Sequence, residues 1–151
     1  MSPGPHPRPA VPGRPAHLRP ALVALVALGG AVGSAARHGA QVAVGTVDDL
    51  PLGTLVVNLV GAFALGLLLE LSAGPDDPGH HRRRNLRLFL GTGFLGGFTT
   101  YSAFALETER LLAAGDQGVA LSYLLATVAG GFAASVLGVA AGRRARQGRG
   151  R

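Results

Sequence analysis

Residues 91–104 carry side chains that are unusual for an apolar segment long enough to cross a lipid bilayer. The segment contains four glycines, three threonines and a serine, where a membrane helix would ordinarily place leucine. A backbone that leaves the helical conformation at membrane depth must have its peptide groups satisfied by protein, by water or by an ion. Freed carbonyl oxygens can coordinate a cation, and a new helix N-terminus attracts an anion. The segment therefore predicts a discontinuous helix that lines an ion site.

Glycines at the centre of this segment are expected to free the backbone from helical angles. They are Gly93, Gly96 and Gly97. Either Thr99 or Thr100 can then cap a second half-helix that continues to about residue 114.

Two aromatic residues and an acid follow the predicted break. Tyr101 and Phe104 are three positions apart and share a helix face. Electropositive ring edges can meet an anion edge-on, or the pair can simply pack against other residues. Glu107 lies a further turn along. It is either an acid that faces the membrane interface or a gate residue, and the sequence leaves both alternatives open.

A second apolar segment contains two polar residues on one helix face. Thr54 and Asn58 are four positions apart. An amide in hydrocarbon needs hydrogen-bond partners. Asn58 can find them in a neighbouring helix, in a contact worth ~0.6 kcal/mol on average, or it can contribute to a track of donors along an ion path.

The last apolar segment carries a comparable stripe, in which polar or small residues recur every four positions. These residues are Tyr123, Thr127, Gly131 and Ser135. Hydroxyl groups in helices often bond to their own backbone instead. Together with Asn58 and the break, the stripe nevertheless indicates a track of hydrogen-bond donors.

The first apolar segment contains an arginine. Gly29 and Gly33 form a small-residue face that allows another backbone to approach closely, and Arg37 lies one turn further along it. Arg37 either faces protein or a water-filled vestibule, or extends its charge to the membrane interface. In either position it brings positive potential that draws anions.

The elements that must position these residues are membrane helices. Hydrophobic residues make up 48% of the 151 residues, charged ones only 15%, and the mean hydropathy is +0.34. The apolar residues form four segments, each able to hold the ~20 residues that a ~30 Å hydrocarbon core requires. They are residues 21–44, 51–72, 86–114 and 119–142. We predict an all-α membrane protein with four transmembrane helices, of which the third is broken in mid-membrane.

Polar tails flank this transmembrane unit of residues 21–142. Residues 1–20 are rich in proline and predict a disordered basic tail, and residues 143–151 form a second basic tail. Four crossings place both tails and the loop between spans two and three on one side, together with most of the arginines. The positive-inside rule then predicts cytoplasmic termini in a multi-pass protein of the cell membrane.

Composition and motifs argue against two other classes of protein. A formal charge of +6 and a pI near 11.4 could attract nucleic acid, but the arginines flank apolar spans and aromatic residues are few. The sequence has no cysteine, no phosphate-binding loop and no carboxylate pair placed for acid–base work. We therefore expect neither a nucleic-acid partner nor an enzymatic activity.

Three motifs, in this order in a four-span chain, resemble the Fluc (CrcB) family of fluoride channels. They read GAVGSAAR at residues 30–37, GTLVVN at 53–58 and GGFTTYSAF at 96–104. The resemblance extends over residues 28–142. It implies a small subunit that dimerises antiparallel in the lipid membrane, with two narrow fluoride pores along the interface. It also implies passive export of cytoplasmic fluoride, which relieves fluoride toxicity.

The resemblance further implies roles for particular residues. A structural Na⁺ at the dimer centre would be held by backbone carbonyls of the broken helix, here those of Gly96 and Thr99. Asn58 would donate its amide to fluoride. The remaining positions match pore aromatics, polar pore or vestibule residues and the acid after the aromatic pair, which are here Tyr101, Phe104, Thr54, Tyr123, Thr127 and Glu107.

This chain departs from the family pattern at two positions. Tyr101 stands where a phenylalanine is usual, and Gly131 stands where serine is frequent. Either departure could weaken or remove one of the two pores. The strong arginine bias also predicts a fixed orientation, and hence an antiparallel heterodimer with a second, oppositely biased homologue. The alternative to a conducting subunit is a non-conducting scaffold subunit of such a heterodimer.

Overall fold

The computed structural model describes residues 19–46, 50–73 and 80–148. Most of the predicted N-terminal tail, the acidic pair Asp48 and Asp49, residues 74–79 of the loop between spans two and three, and the last three residues lie outside these ranges. Every regular element within them is a helix, which confirms the all-α prediction.

The described part of the chain contains six α-helices and one π-helical segment. In chain order they are α1 (Pro20–Val44), α2 (Leu52–Leu71), α3 (His80–Leu86), the π-helical segment (Arg87–Leu95), α4 (Gly96–Phe98), α5 (Tyr101–Ala113) and α6 (Gln117–Gly148). Among these, α1, α2 and α6 are long and apolar enough to cross a membrane. They correspond to the first, second and fourth predicted spans, and the chain is therefore a membrane protein.

The third predicted span is interrupted. Its first part runs without a break through α3, the π-helical segment and α4, and we call these residues 80–98 the first half-helix. Its second part is α5, the second half-helix. The two are separated at Thr99 and Thr100, where the backbone becomes extended. The predicted interruption is therefore present.

The prediction that glycines release the backbone from the helix was wrong. Gly93, Gly96 and Gly97 all lie in helical segments, and Gly96 has a φ of −64° and a ψ of −34°. Gly93 and Gly97 instead permit close contact with α1, and Gly33 permits it from the α1 side. A Cβ atom at Gly97 would collide with the carbonyl oxygen of Gly30, and one at Gly33 would collide with the carbonyl oxygen of Phe94. The predicted small-residue face of α1 therefore packs backbone to backbone against the first half-helix.

The charged ends of the third and fourth predicted spans are more helical than the sequence indicated. The first half-helix begins at His80, inside the predicted connector 73–85, and α6 continues to Gly148 through most of the predicted basic tail. Arginine and alanine are good helix formers. A hydropathy profile detects apolar residues and not helix propensity, so it does not show that a helix continues through these residues. Hydropathy therefore placed both boundaries too far into the apolar segments.

Packing divides the described chain into two helix pairs. The most extensive contacts join α2 to α6 and α1 to the π-helical segment. At one end of the first pair, Glu70 of α2 forms ion pairs with Arg143 (3.5 Å) and Arg146 (3.2 Å) of α6. Part of the predicted tail is thus bound to α2 through its arginines.

Candidate functional site

The backbone between the half-helices is extended at two threonines. Thr99 has a ψ of 157°, and Thr100 has a φ of −147° and a ψ of 119°. The Thr100 hydroxyl accepts a hydrogen bond from the backbone N–H of Ala103 (3.2 Å) and so caps α5. Of the two caps that the sequence allowed, the structure uses Thr100.

The side chain of Asn58 satisfies the extended peptide groups at the break. Its Nδ2 donates to the carbonyl oxygen of Thr100 (3.0 Å), and its Oδ1 accepts from the backbone N–H of Thr100 (2.8 Å). A break in hydrocarbon needs such a partner. Asn58 of α2 therefore stabilises the extended conformation at the break. The second hydrogen of its amide takes no part in either bond.

Carbonyl oxygens on the other side of the break face α1. Arg37 Nη1 donates to the carbonyl oxygen of Thr99 (3.4 Å), and Ser34 Oγ donates to that of Gly97 (3.4 Å). The Gly96 carbonyl differs, because the Thr100 N–H that would reach it in a continuous helix donates to Asn58 instead. Both predicted carbonyls, of Gly96 and Thr99, thus belong to the interrupted stretch of residues 96–100, which we call the broken turn.

A groove of about 460 Å³ borders the break and opens to the outside of the molecule. Residues of α2, the π-helical segment, the broken turn, α5 and α6 line it, and we call it the open groove. Its polar residues are Asn58, Thr99, Thr100 and Thr127. Each of the four has a hydrogen-bond partner within the described chain, and the second amide hydrogen of Asn58 remains available to a ligand.

The two predicted aromatic residues also line the open groove. The rings of Tyr101 and Phe104 lie 6.0 Å apart between centroids and are tilted by 54°. Tyr101 is 80% exposed, whereas Phe104 is half-buried and its ring lies 5.6 Å from that of Tyr123. Tyr101 therefore projects from the molecule, and Phe104 connects the groove to the interior.

The remaining predicted pore residues form a separate cluster. Glu107 accepts hydrogen bonds from Thr54 Oγ1 (2.7 Å) and from the Tyr123 hydroxyl (2.7 Å), and Thr54 also accepts one from Gln41 Nε2 (2.9 Å). Both Thr54 and Tyr123 are only 2% exposed. We call these four residues the buried network. It ties α1, α2, α5 and α6 together, one residue from each helix.

The structure thus separates residues that the sequence placed on one track. Asn58, Tyr101, Phe104 and Thr127 line the open groove, and the Thr127 hydroxyl donates to the backbone of its own helix at Tyr123 (2.8 Å). Thr54, Glu107 and Tyr123 belong to the buried network, and Arg37 contacts the broken turn.

Sequence reasoning missed two participants. Gln41 completes the buried network and Ser34 bonds to the broken turn. Their positions carried a signal, since Ser34, Arg37 and Gln41 recur at helical spacing along one face of α1. Polar residues that share a face within an apolar span would have identified all three together.

The fold and the groove define a small helical membrane protein whose interrupted helix presents polar groups at an open surface. The sequence model of the family described as "CrcB-like protein, Camphor Resistance (CrcB)" matches residues 24–139. The chain belongs to this family.

Curated relatives agree with this assignment. A protein of Leifsonia xyli subsp. xyli named "Fluoride-specific ion channel FluC 2" is 49% identical over 130 residues, which cover 85% of this chain and 88% of the relative. A "Fluoride-specific ion channel FluC" of Paracoccus denitrificans is 48% identical over 78% of this chain and 91% of its own length. One of Agrobacterium fabrum with the same name is 44% identical over 80% and 95%. These names describe ion channels, in agreement with the expectation that the chain is not an enzyme.

Proposed function

We propose that the chain is a subunit of a fluoride-specific ion channel that passively exports cytoplasmic fluoride and so relieves fluoride toxicity. The observation that carries the proposal is the open groove, where Asn58, Tyr101 and Phe104 meet at a helix break. The names of relatives up to 49% identical support the choice of ion.

The chemistry of the groove suits a strongly hydrated anion. A selective pore must replace the water around fluoride with hydrogen-bond donors. The second amide hydrogen of Asn58 and the electropositive ring edges of Tyr101 and Phe104 supply neutral donors and positive edges. None of them binds as strongly as a fixed ammonium group, so the ion can leave. An inside-negative membrane potential drives an anion outward with ~2.3 kcal/mol per 100 mV, so export needs no ATP.

A second subunit would cover the open groove. The groove opens outward beside Tyr101, which is 80% exposed, and lipid offers no acceptor to the second amide hydrogen of Asn58. In the proposed dimer a subunit of opposite orientation closes the groove and turns it into a narrow path. The two half-helices together form the third of four crossings, with both termini in the cytoplasm and the protein in the cell membrane.

The broken turn fits the structural Na⁺ that the family resemblance implies. Na⁺ is a hard cation that takes oxygen ligands, and the carbonyl of Gly96 has lost its helical donor. The Thr99 carbonyl lies on the same turn and accepts a long bond from Arg37 (3.4 Å). We propose that Gly96 and Thr99 hold the ion together with their counterparts in the second subunit. The ion would neutralise carbonyl dipoles at the break.

The strong arginine bias favours an antiparallel heterodimer with an oppositely biased homologue over a homodimer. Within a heterodimer, the subunit could also be a non-conducting scaffold. The departures at Tyr101 and Gly131 are the observations that keep this second candidate.

The test is fluoride efflux from proteoliposomes that contain the chain, either alone or co-purified with the oppositely biased homologue. We expect efflux from the co-purified pair, without chloride efflux. Asn58→Ala and Phe104→Ala should each reduce it about tenfold or more, because each removes a contact to the desolvated ion. The matched control is Ser122→Ala, since Ser122 is exposed and bonds only to its own helix at Gly118.

Each outcome of the assay decides one part of the proposal. Efflux from the purified chain alone would overturn the heterodimer and retain the channel. Unchanged efflux after both groove substitutions would assign the scaffold role to this subunit. Absence of fluoride efflux from every preparation would contradict the channel itself.

A further inference from the structure

A run of arginines at the start of the first half-helix is not used by the proposed ion path. Arg82, Arg83 and Arg84 lie on α3, where the sequence predicted a loop. Helical structure gives these side chains fixed positions relative to α1. They lie at the same end of the subunit as the N-terminal end of α1, because Leu25 shares a groove with them.

This second groove has a volume of about 790 Å³ and two chemically different sets of lining residues. Leu25 of α1, Leu86 of α3 and Phe89 of the π-helical segment provide its apolar wall. Arg82 and Arg83 of α3 also line it and are exposed. A groove that combines an apolar wall with guanidinium groups offers contacts for both parts of a phospholipid, the acyl chain and the headgroup.

The charge of the two arginines is not compensated within the described part of the chain. No described carboxylate lies within ion-pair distance of Arg82 or Arg83. The arginines at the end of α6 differ, since Arg143 and Arg146 both pair with Glu70. The Nε of neighbouring Arg84 is also buried without a hydrogen-bond partner in the described residues. Among the described residues, the guanidinium groups of Arg82 and Arg83 therefore remain available to an anion.

We propose that this groove binds one anionic phospholipid of the adjacent leaflet. Its phosphate would accept hydrogen bonds from the planar guanidinium groups of Arg82 and Arg83, which match phosphate geometry. One acyl chain would lie against Leu25, Leu86 and Phe89. The apolar wall selects a lipid over free phosphate, which has no group to place there. The proposal requires membrane insertion only and holds for any transported ion.

The test is native mass spectrometry of the full-length protein in detergent, titrated with phosphatidylglycerol or phosphatidylcholine of identical acyl chains. The wild-type protein should bind phosphatidylglycerol about tenfold more tightly than phosphatidylcholine, because each arginine near an anionic headgroup strengthens binding electrostatically. Arg82→Gln with Arg83→Gln should abolish this preference. The matched control, Arg144→Gln with Arg149→Gln, removes the same charge from the C-terminal run and should keep it.

Two further measurements keep the proposal open to contradiction. Arg82→Lys with Arg83→Lys keeps the charge and guards against a folding defect, and it should retain part of the preference. Millimolar inorganic phosphate should leave the bound lipid in place. Equal loss in the Arg82/Arg83 pair and the control pair would indicate general charge attraction and overturn the site. Displacement by inorganic phosphate would also overturn it, because the ligand would then be the free anion.

Discussion

The open groove and the buried network use similar polar side chains in opposite ways. In the buried network, the hydroxyls of Thr54 and Tyr123 both donate to Glu107, and both residues are 2% exposed. In the open groove, Asn58 satisfies the broken backbone at Thr100 and faces a surface that leads out of the subunit. In the network, both hydroxyl donors bond within the protein. In the groove, the second amide hydrogen of Asn58 remains available to a ligand.

This difference assigns the two regions different tasks. A hydroxyl that already donates to a carboxylate cannot also donate to a passing anion. We infer that the buried network fixes the relative positions of α1, α2, α5 and α6. The open groove can then present Asn58, Tyr101 and Phe104 to an ion at a defined spacing. Substitutions in the network should change stability first, and substitutions of the aromatic residues of the groove should change transport first, whereas Asn58 contributes to both because it also bonds the break.

Removal of the central acceptor of the buried network should have the largest effect on stability. Glu107→Ala leaves the hydroxyls of Thr54 and Tyr123 without their acceptor. Each buried unsatisfied donor costs ~1–3 kcal/mol, so the free energy of unfolding in detergent should fall by about 3 kcal/mol. Glu107→Gln retains one acceptor oxygen and should cost about 1 kcal/mol. Equal stability of Glu107→Ala and the wild type would show that the network does not join the helices.

Loss of the side chain that holds the break should rank second. Asn58→Ala leaves the N–H and C=O of Thr100 without partners. The free energy of unfolding should fall by about 2 kcal/mol. Hydrogen exchange of the Thr100 amide, measured by NMR, should accelerate in this variant while exchange within α2 remains unchanged. Unaltered protection at Thr100 would contradict the assigned bonds.

The same substitution in both regions sharpens the comparison. Tyr123→Phe removes the hydroxyl that donates to Glu107, and the free energy of unfolding should fall by about 1 kcal/mol. Tyr101→Phe removes a hydroxyl from a side chain that is 80% exposed in the subunit. It should leave subunit stability unchanged and alter only fluoride efflux. A larger stability loss at Tyr101 than at Tyr123 would reverse the division of tasks.

Among the substitutions that remove a bond seen in the structure, the smallest loss of stability is expected outside both regions. Glu70→Gln removes the acceptor charge of two ion pairs, with Arg143 67% exposed and Arg146 43% exposed. Exposed ion pairs are worth about 0–1 kcal/mol. The free energy of unfolding should therefore fall by at most about 0.5 kcal/mol, and by less at high salt. A salt-independent loss comparable to that of Glu107→Ala would mean that this end of α2 and α6 is held more tightly than its exposure indicates.

Hydropathy alone predicted most of the helical framework. Spans one, two and four appear as continuous helices, and the glycine–threonine segment is interrupted where Thr100 can cap a new helix. Local composition carries these features, because burial in lipid and capping depend on neighbouring residues in sequence.

The sequence alone could not predict the features that depend on tertiary contacts. Gly97 has no local mark that distinguishes a flexible glycine from one that admits the backbone of α1, and it proved to be the second kind. Likewise, Tyr123 and Thr127 share a helix face, but only packing sends one hydroxyl to Glu107 and the other to its own backbone. The division of the polar residues into two regions therefore required the structure.

The central claim is that a second subunit covers the open groove, and crosslinking from Tyr101 tests it most directly. A photo-crosslinking amino acid would replace Tyr101 in membranes that contain the chain with its oppositely biased homologue, and Val42, which is 70% exposed on α1, would be the control position. The account predicts a covalent protein dimer from position 101 and lipid adducts alone from position 42. Lipid adducts alone at position 101 would contradict it, because the polar groove would then face the bilayer.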